Sequence, residues 1–115
     1  LIMPVAQVIS DIHFEAHPDR GDGFLENYLE PEGADLLILA GDVVEYWGIQ
    51  KYLSEFAKYF SDIIYVLGNH EYYGSTKEDV RNIVSASNSN MPSNVRVLNR
   101  DVCYVANQKF CGTTL

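Results

Sequence analysis

The sequence has no long hydrophobic run, no signal-peptide pattern and only two cysteines. No apolar stretch approaches the roughly 20 residues that a membrane-spanning helix needs, and residues 1–4 carry no basic flank. Two cysteines give little support to a zinc finger. We therefore expect a cytoplasmic protein with no membrane contact and with Cys103 and Cys111 as free thiols. The alternative is a disulfide across a hairpin loop at residues 106–108, where the two cysteines would face each other.

Basic residues are also scarce, with eight Lys and Arg against 16 Asp and Glu and a net charge of −8. An acidic protein does not attract polyanions through its overall field, which disfavours nucleic acid as a partner. A substrate that carries phosphate would need bound cations to supply positive charge, so this balance favours a metal-dependent site. The length of 115 residues and the hydrophobic fraction of 47% fit one small globular domain with its own core.

Three largely apolar runs, at residues 5–10, 36–40 and 63–67, predict strands that are buried on both faces. A short helical piece at residues 24–30 separates the first two strands. The next connection holds a clearer helix, because apolar residues recur there at helical spacing. These residues are Ile49, Tyr52, Leu53, Phe56 and Phe60.

A further helix should begin at Ser75 or Thr76, where two capping boxes overlap, and end in the Ser/Asn-rich stretch at residues 85–90. The order is therefore βαβαβα followed by a β meander, which is an α/β fold. Right-handed crossovers make the first strands parallel, so their carboxyl ends share the sheet edge where such folds bind ligands. The strands of the meander are predicted at residues 95–98, 102–105 and 109–113.

Three motifs lie at that edge: Asp11-Ile12-His13, Gly41-Asp42 and Gly68-Asn69-His70-Glu71. Each alone has a structural explanation, because an Asp after a strand often caps a helix or forms a turn. Together, at the ends of three successive βα units, they predict a metal centre. Carboxylate, imidazole and amide ligands suit Mn²⁺, Fe or Zn²⁺. Asp11 and His13 can point to one side only if the chain leaves strand geometry between them.

With these motifs the sequence resembles the calcineurin-like metallophosphoesterases, and the resemblance extends to residues 97–100 and 112–115. It implies the N-terminal half of a four-layer α/β/β/α sandwich that hydrolyses phosphate mono- or diesters with two divalent metal ions. Asp11 and His13 would hold the first ion. Asp42 would bridge both ions, and Asn69 would hold the second.

The resemblance also implies roles for residues beside these ligands. His70 would be the general acid or hydrogen-bond donor toward the leaving group. The family usually orients this His with an Asp three residues after the bridging Asp, a position that holds Glu45 here. Tyr46 stands where an Arg often follows, so no phosphate-binding Arg is carried over. Glu71 should anchor its loop through backbone amides, and Tyr72 should lie at the rim of the site.

Two C-terminal elements of the family, a lone metal-binding His and a Gly-His-x-His motif, are missing from the sequence. We therefore expect a truncated N-terminal half whose second metal site is weak and whose activity is impaired. Its uncovered sheet would require a complementing C-terminal chain or a homo-oligomer. Two alternatives remain. One is a non-catalytic remnant that acts as an interaction or assembly module. The other is a response-regulator-like or nucleotide-binding α/β domain, against which the lack of a Gly-rich phosphate loop argues.

Overall fold

The computed structural model describes residues 4–90 and 94–114, and it confirms the predicted α/β fold. Four parallel strands form one sheet in the order β1-β2-β3-β4, and an antiparallel hairpin of β5 and β6 follows. The strands are β1 Ala6–Ile9, β2 Leu36–Ala40, β3 Ile63–Val66, β4 Val95–Leu98, β5 Asp101–Val105 and β6 Gln108–Gly112. The helices are α1 Asp22–Asn27, α2 Ile49–Phe56 and α3 Lys77–Asn90, with 3-10 turns at Phe14–Ala16, Pro31–Gly33, Tyr46–Gly48 and His70–Tyr72.

The main core lies between the helices and one face of the parallel sheet. Leu37, Ile63 and Val95 stand side by side in register across three strands and are all buried in this core. Phe60 was predicted to extend the apolar face of α2; it lies beyond the end of that helix and is nevertheless buried. The helix itself buries its predicted residues Ile49, Tyr52, Leu53 and Phe56.

The start of α3 uses the second of the two predicted capping boxes. Thr76 N donates to Asp79 Oδ2 over 3.2 Å, and Asp79 N donates to Thr76 Oγ1 over 3.1 Å. The helix ends at Asn90, within the Ser/Asn-rich stretch where its end was predicted. The side chain of Asn88 supports the helix inside that stretch: its Oδ1 accepts from Val97 N over 3.0 Å and its Nδ2 donates to Val97 O over 3.2 Å. Tertiary contacts with β4 thus offset the weak helix propensity of the stretch.

The predicted meander needs one correction. β4 is not its first strand but the fourth strand of the parallel sheet, paired with β3 through Ile63–Val95 and Val66–Leu98. The physical reason is the length of α3, which provides a full crossover back to the start of the sheet and so makes β4 parallel. Only β5 and β6 are antiparallel in the described ranges, and they pack on the face of the sheet opposite the helices.

The predicted geometry of the cysteines is wrong as well. The hairpin loop has two residues, Ala106 and Asn107, with φ of 51° and 63°, as a type I′ turn requires. In the resulting register Cys103 lies opposite Phe110, and Cys111 lies opposite Val102, so the cysteines point to opposite faces of the hairpin. Both are free. Separately, none of the helices in the described ranges is long and apolar enough to cross a membrane.

Candidate metal centre

Three loops follow the carboxyl ends of β1, β2 and β3: loop 1 (residues 10–21), loop 2 (residues 41–48) and loop 3 (residues 67–76). Loops 1 and 2 continue the pairing of their strands. Asp11 N donates to Gly41 O over 3.0 Å, and His13 N donates to Asp42 O over 3.1 Å. Asp11, His13 and Asp42 all adopt left-handed backbone conformations, with φ of 56°, 53° and 54°. The chain thus leaves strand geometry between Asp11 and His13, which allows both side chains to point to one side. Such strained conformations often occur at functional sites.

Glu71 joins loop 3 to loop 2. Its carboxylate is fully buried and accepts hydrogen bonds from three backbone amides: Asp42 N at 3.0 Å, Val43 N at 2.9 Å and Gly68 N at 2.8 Å. The hydroxyl of Tyr65 donates a fourth. Burial raises the pKa of Tyr65 well above its ordinary value, and the nearby charge of Glu71 adds to the effect, so this hydroxyl stays protonated and donates.

The two loops also approach each other at a pair of glycines. Gly41 has a φ of 87°, and a Cβ added to it would lie 3.1 Å from Gly68 Cα. A Cβ on Gly68 would lie 2.2 Å from Asp42 Oδ1 and 2.6 Å from Asp42 N. Glycine at position 68 therefore leaves the space that the Asp42 carboxylate occupies.

We expect Gly68→Ala to displace the Asp42 carboxylate and to lower the free energy of unfolding by about 2–3 kcal/mol, since overpacking forces the backbone to shift. Urea denaturation checks the stability, and calorimetric titration with Mn²⁺ checks metal affinity. Gly33→Ala is the matched control, because an added Cβ there meets no atom within 4 Å. Equal stability and metal affinity for the two variants would contradict this description of the site.

The side chains that could hold a metal ion meet where the loops converge. One donor atom each from His13, Asp42 and His70 lie within 4.8 Å of one another. The Nδ1 atoms of the two histidines are 3.0 Å apart, and His70 N donates to Asp42 Oδ1 over 2.9 Å. Asp11 lies beside this group, with Oδ1 3.8 Å from His13 Nε2, and its side chain is 65% exposed.

The Asn69 amide faces the Asp42 carboxylate. In one orientation Nδ2 donates to Asp42 Oδ2 over 3.2 Å, while Oδ1 accepts from the Tyr73 hydroxyl over 2.9 Å. In the other orientation Nδ2 donates to Tyr73, and the carbonyl oxygen faces the carboxylate. Two acceptor oxygens face each other favourably only with a cation between them, so the second orientation fits a metal ligand.

Glu15 is a residue that the sequence patterns did not single out. Its Oε1 lies 2.7 Å from His70 Nδ1 and 3.5 Å from His13 Nδ1. Burial is the largest single influence and would raise the pKa of Glu15, but its hydrogen bonds, chiefly the one with His70, together with the charge of His70 outweigh burial, and the pKa is lowered. The same hydrogen bond raises the pKa of His70, with the charge of Asp42 adding to the effect against burial. The sequence signal that could have indicated Glu15 is its place as an acidic residue two positions after the Asp-x-His motif.

Glu45 does not make the contact that the sequence predicted. The Nε1 of Trp47 donates to its Oε2 over 3.0 Å, and Glu15 occupies the position beside His70 Nδ1. Loop 2 forms a 3-10 turn directly after Glu45, whereas loop 1 forms one that includes Glu15, and this difference determines which carboxylate reaches the histidine. Tyr72 is half-buried against the main core.

The site is suited to cations. Asp11, Glu15 and Asp42 meet there, and in the described ranges the only basic side chains within ion-pair distance of them are the two histidines. The Oε2 of Glu15 is buried without a hydrogen-bond partner in the described part of the chain. A buried carboxylate oxygen without a partner is costly unless a cation or water satisfies it. The donor set therefore fits divalent metal ions.

The parallel sheet and this ligand cluster define an α/β protein with a candidate metal centre at the carboxyl edge. The model of the calcineurin-like phosphoesterase family matches residues 6–110, and the chain belongs to this family. A similar solved structure is phosphopantetheinyl hydrolase from Mycobacterium tuberculosis, with a TM-score of 0.63 and 22% sequence identity. The match covers 87% of this chain but only 38% of that protein, and the likeness shows the fold. No curated protein sequence matches the chain significantly.

Proposed function

We propose that the chain carries the first half of the active site of a metal-dependent hydrolase of phosphate mono- or diesters. The observation that carries this proposal is the convergence of His13, Asp42 and His70 within 4.8 Å at the ends of three different strands. Membership of the calcineurin-like family supports a phosphoesterase. The carboxylates beside these residues have no Lys or Arg within ion-pair distance in the described ranges, which favours metal ions as their partners.

In this proposal Asp11 and His13 would hold one divalent ion, Asn69 would hold the other, and Asp42 would be shared between them. Mn²⁺, Fe or Zn²⁺ would fit these ligands. Bound ions would neutralise the phosphoryl group and lower the pKa of a bound water.

His70 would then serve the leaving group. Its Nδ1 is engaged by Glu15 Oε1 at 2.7 Å, which leaves Nε2 free to face the substrate. A histidine that is oriented through one nitrogen by a carboxylate can donate a proton from the other. Glu15 would thus be a positioning residue, in place of the Glu45 that the sequence suggested.

We expect Glu15→Gln to lower kcat by about 10–100-fold with a smaller effect on KM, since partners that orient catalytic or ligating histidines contribute on that scale. Glu45→Gln is the matched control and should change neither parameter more than about twofold, because its carboxylate contacts Trp47 instead. Steady-state kinetics on a nitrophenyl phosphate ester measures both. A large effect of Glu45→Gln with none of Glu15→Gln would restore the sequence-based assignment.

The basic experiment for the proposal is hydrolysis of mono- and bis-nitrophenyl phosphate with and without added Mn²⁺. We expect turnover that appears with Mn²⁺, disappears with a chelator and returns when Mn²⁺ is restored. Turnover that is indifferent to the chelator would overturn the metal-dependent mechanism.

One observation favours the second candidate function, an interaction or assembly module. Val8, Ile38 and Ile64 lie side by side on the sheet face opposite the helices. Ile64 is buried near the hairpin, whereas Val8 is 62% exposed. The uncovered side of this face would bind a complementing C-terminal chain or a second copy of the chain. Analytical ultracentrifugation of the chain alone tests the second of these: a dimer would support a second copy as the partner, and a monomer would argue against it.

A further inference from the structure

A second feature of the surface is a cavity of about 500 Å³ beside α3 that concentrates positive charge. Lys77, Arg81 and Arg100 line it, and these are three of the eight basic residues of an acidic chain. No carboxylate is among the lining residues in the described ranges. The charge of this basic cavity is therefore opposite in sign to the net charge of the whole protein.

The geometry of α3 and β4 explains how the charges gather. Lys77 and Arg81 are four residues apart and lie on the same side of α3, flanking the buried Val80 that packs in the main core. Arg100 follows β4 in a left-handed conformation with a φ of 55°. Two elements that are neighbours in the fold thus bring their basic side chains to one concave surface.

These charges have no structural partner in the described part of the chain. None of the three side chains makes an ion pair there, and within the same ranges Lys58 is the only lysine or arginine that does. Asp79, on the same turn of α3, is engaged by the Thr76 amide. Basic side chains that gather without carboxylates repel one another, so a structural purpose does not explain the arrangement.

The basic cavity continues towards the candidate metal centre. It shares Leu67, Tyr72 and Thr114 with a second cavity of about 590 Å³. The second cavity is also lined by Gly68 and Asn69, which belong to the metal-binding loop 3. A molecule that extends from the metal centre along this surface would meet the three basic side chains.

We propose that the basic cavity binds a second, non-reacting phosphate group of the substrate. The substrate class is then an organic phosphate ester that carries another phosphate, with its hydrolysed group at the metal centre. Three cationic side chains match a group with up to two negative charges, and arginines bind phosphate oxygens in a bidentate manner. The apolar wall at Leu67 and Val80 suits the organic part between the two phosphates. Binding of the non-reacting phosphate does not depend on the proposed function. Only the hydrolysis of the other phosphate at the metal centre rests on it.

The test begins with binding in chelator-treated protein, so that metal ions do not contribute. Calorimetric titration with pyrophosphate compares the wild type with a triple variant, Lys77→Gln, Arg81→Gln and Arg100→Gln. We expect the Kd to rise at least about tenfold in the triple variant. A second triple variant, Lys51→Gln, Lys58→Gln and Lys109→Gln, makes the same change in net charge outside the cavity, and its Kd should change less than about twofold.

The second readout is kinetic, with Mn²⁺ present. The cavity variant should raise KM about tenfold for an ester with two phosphates and leave KM for a nitrophenyl phosphate unchanged. Equal effects of both triple variants, or unchanged pyrophosphate binding in the cavity variant, would overturn the inference. Absence of any Mn²⁺-dependent turnover, with pyrophosphate binding lost only in the cavity variant, would overturn the proposed hydrolase and support the anion site.

Discussion

Asp42→Asn is expected to lower Mn²⁺-dependent turnover at least about a thousandfold, because it removes the charge of the proposed bridging ligand. The change is nearly isosteric. The Oδ1 of Asn can still accept from His70 N, a hydrogen bond of 2.9 Å in the structure. The loss should therefore be chemical, with the loops still in place.

Three measurements separate that outcome from unfolding. Urea denaturation should give a free energy of unfolding within about 1 kcal/mol of the wild type. Calorimetry with Mn²⁺ should show weakened or lost binding. Asp22→Asn, an exposed position in α1, is the matched control and should retain turnover. Retained turnover and Mn²⁺ affinity in Asp42→Asn would contradict the role given to this carboxylate.

Glu71→Gln is expected to have the largest effect on stability, about 3–5 kcal/mol, which is the usual range for breaking a buried charged network. Glutamine keeps one acceptor oxygen but places an NH₂ group among three backbone N–H donors. At least one of the amides of Asp42, Val43 and Gly68 then loses its acceptor inside the protein. Loops 2 and 3 would separate, and the metal ligands with them.

Chemical denaturation of Glu71→Gln measures this loss directly. Glu78→Gln, on the exposed surface of α3, is the control and should change stability by less than about 0.5 kcal/mol. Tyr65→Phe removes only one of the four donors, and its effect should lie between the two variants. If Glu71→Gln proved as stable as the wild type, the carboxylate could not be the link between the loops.

The sequence predicted the strand ends well because largely apolar runs are a strong signal of parallel strands. The predicted burial on both faces is wrong for β1, an edge strand whose Val8 is 62% exposed. The three motifs follow those runs directly, so the sequence pattern alone predicts their convergence at one edge. The assignment of β4 to the meander was wrong because the strand itself carries little information. Its four residues, Val95–Leu98, resemble any short strand, and only the long α3 before them indicates a parallel crossover.

The partner of His70 could not be predicted in the same way. Glu15 and Glu45 are both acidic residues in loops after strands, and each follows a motif residue closely. The choice between them depends on two 3-10 turns, Phe14–Ala16 and Tyr46–Gly48, whose formation is decided by packing in the folded state. The complete basic cavity has no sequence signature, because only the pairing of β4 with β3 brings Arg100 beside Lys77 and Arg81 of α3.

The central claim is that loops from three strands bring their side chains to one metal centre. Crystals grown with Mn²⁺ and measured near the manganese absorption edge test it most directly. We expect an anomalous peak within about 2.0–2.3 Å of the Asp42 carboxylate, with a nitrogen of His13 among its nearest atoms. An ordered site without anomalous signal at saturating Mn²⁺, or a peak coordinated only by other residues, would contradict the assignment.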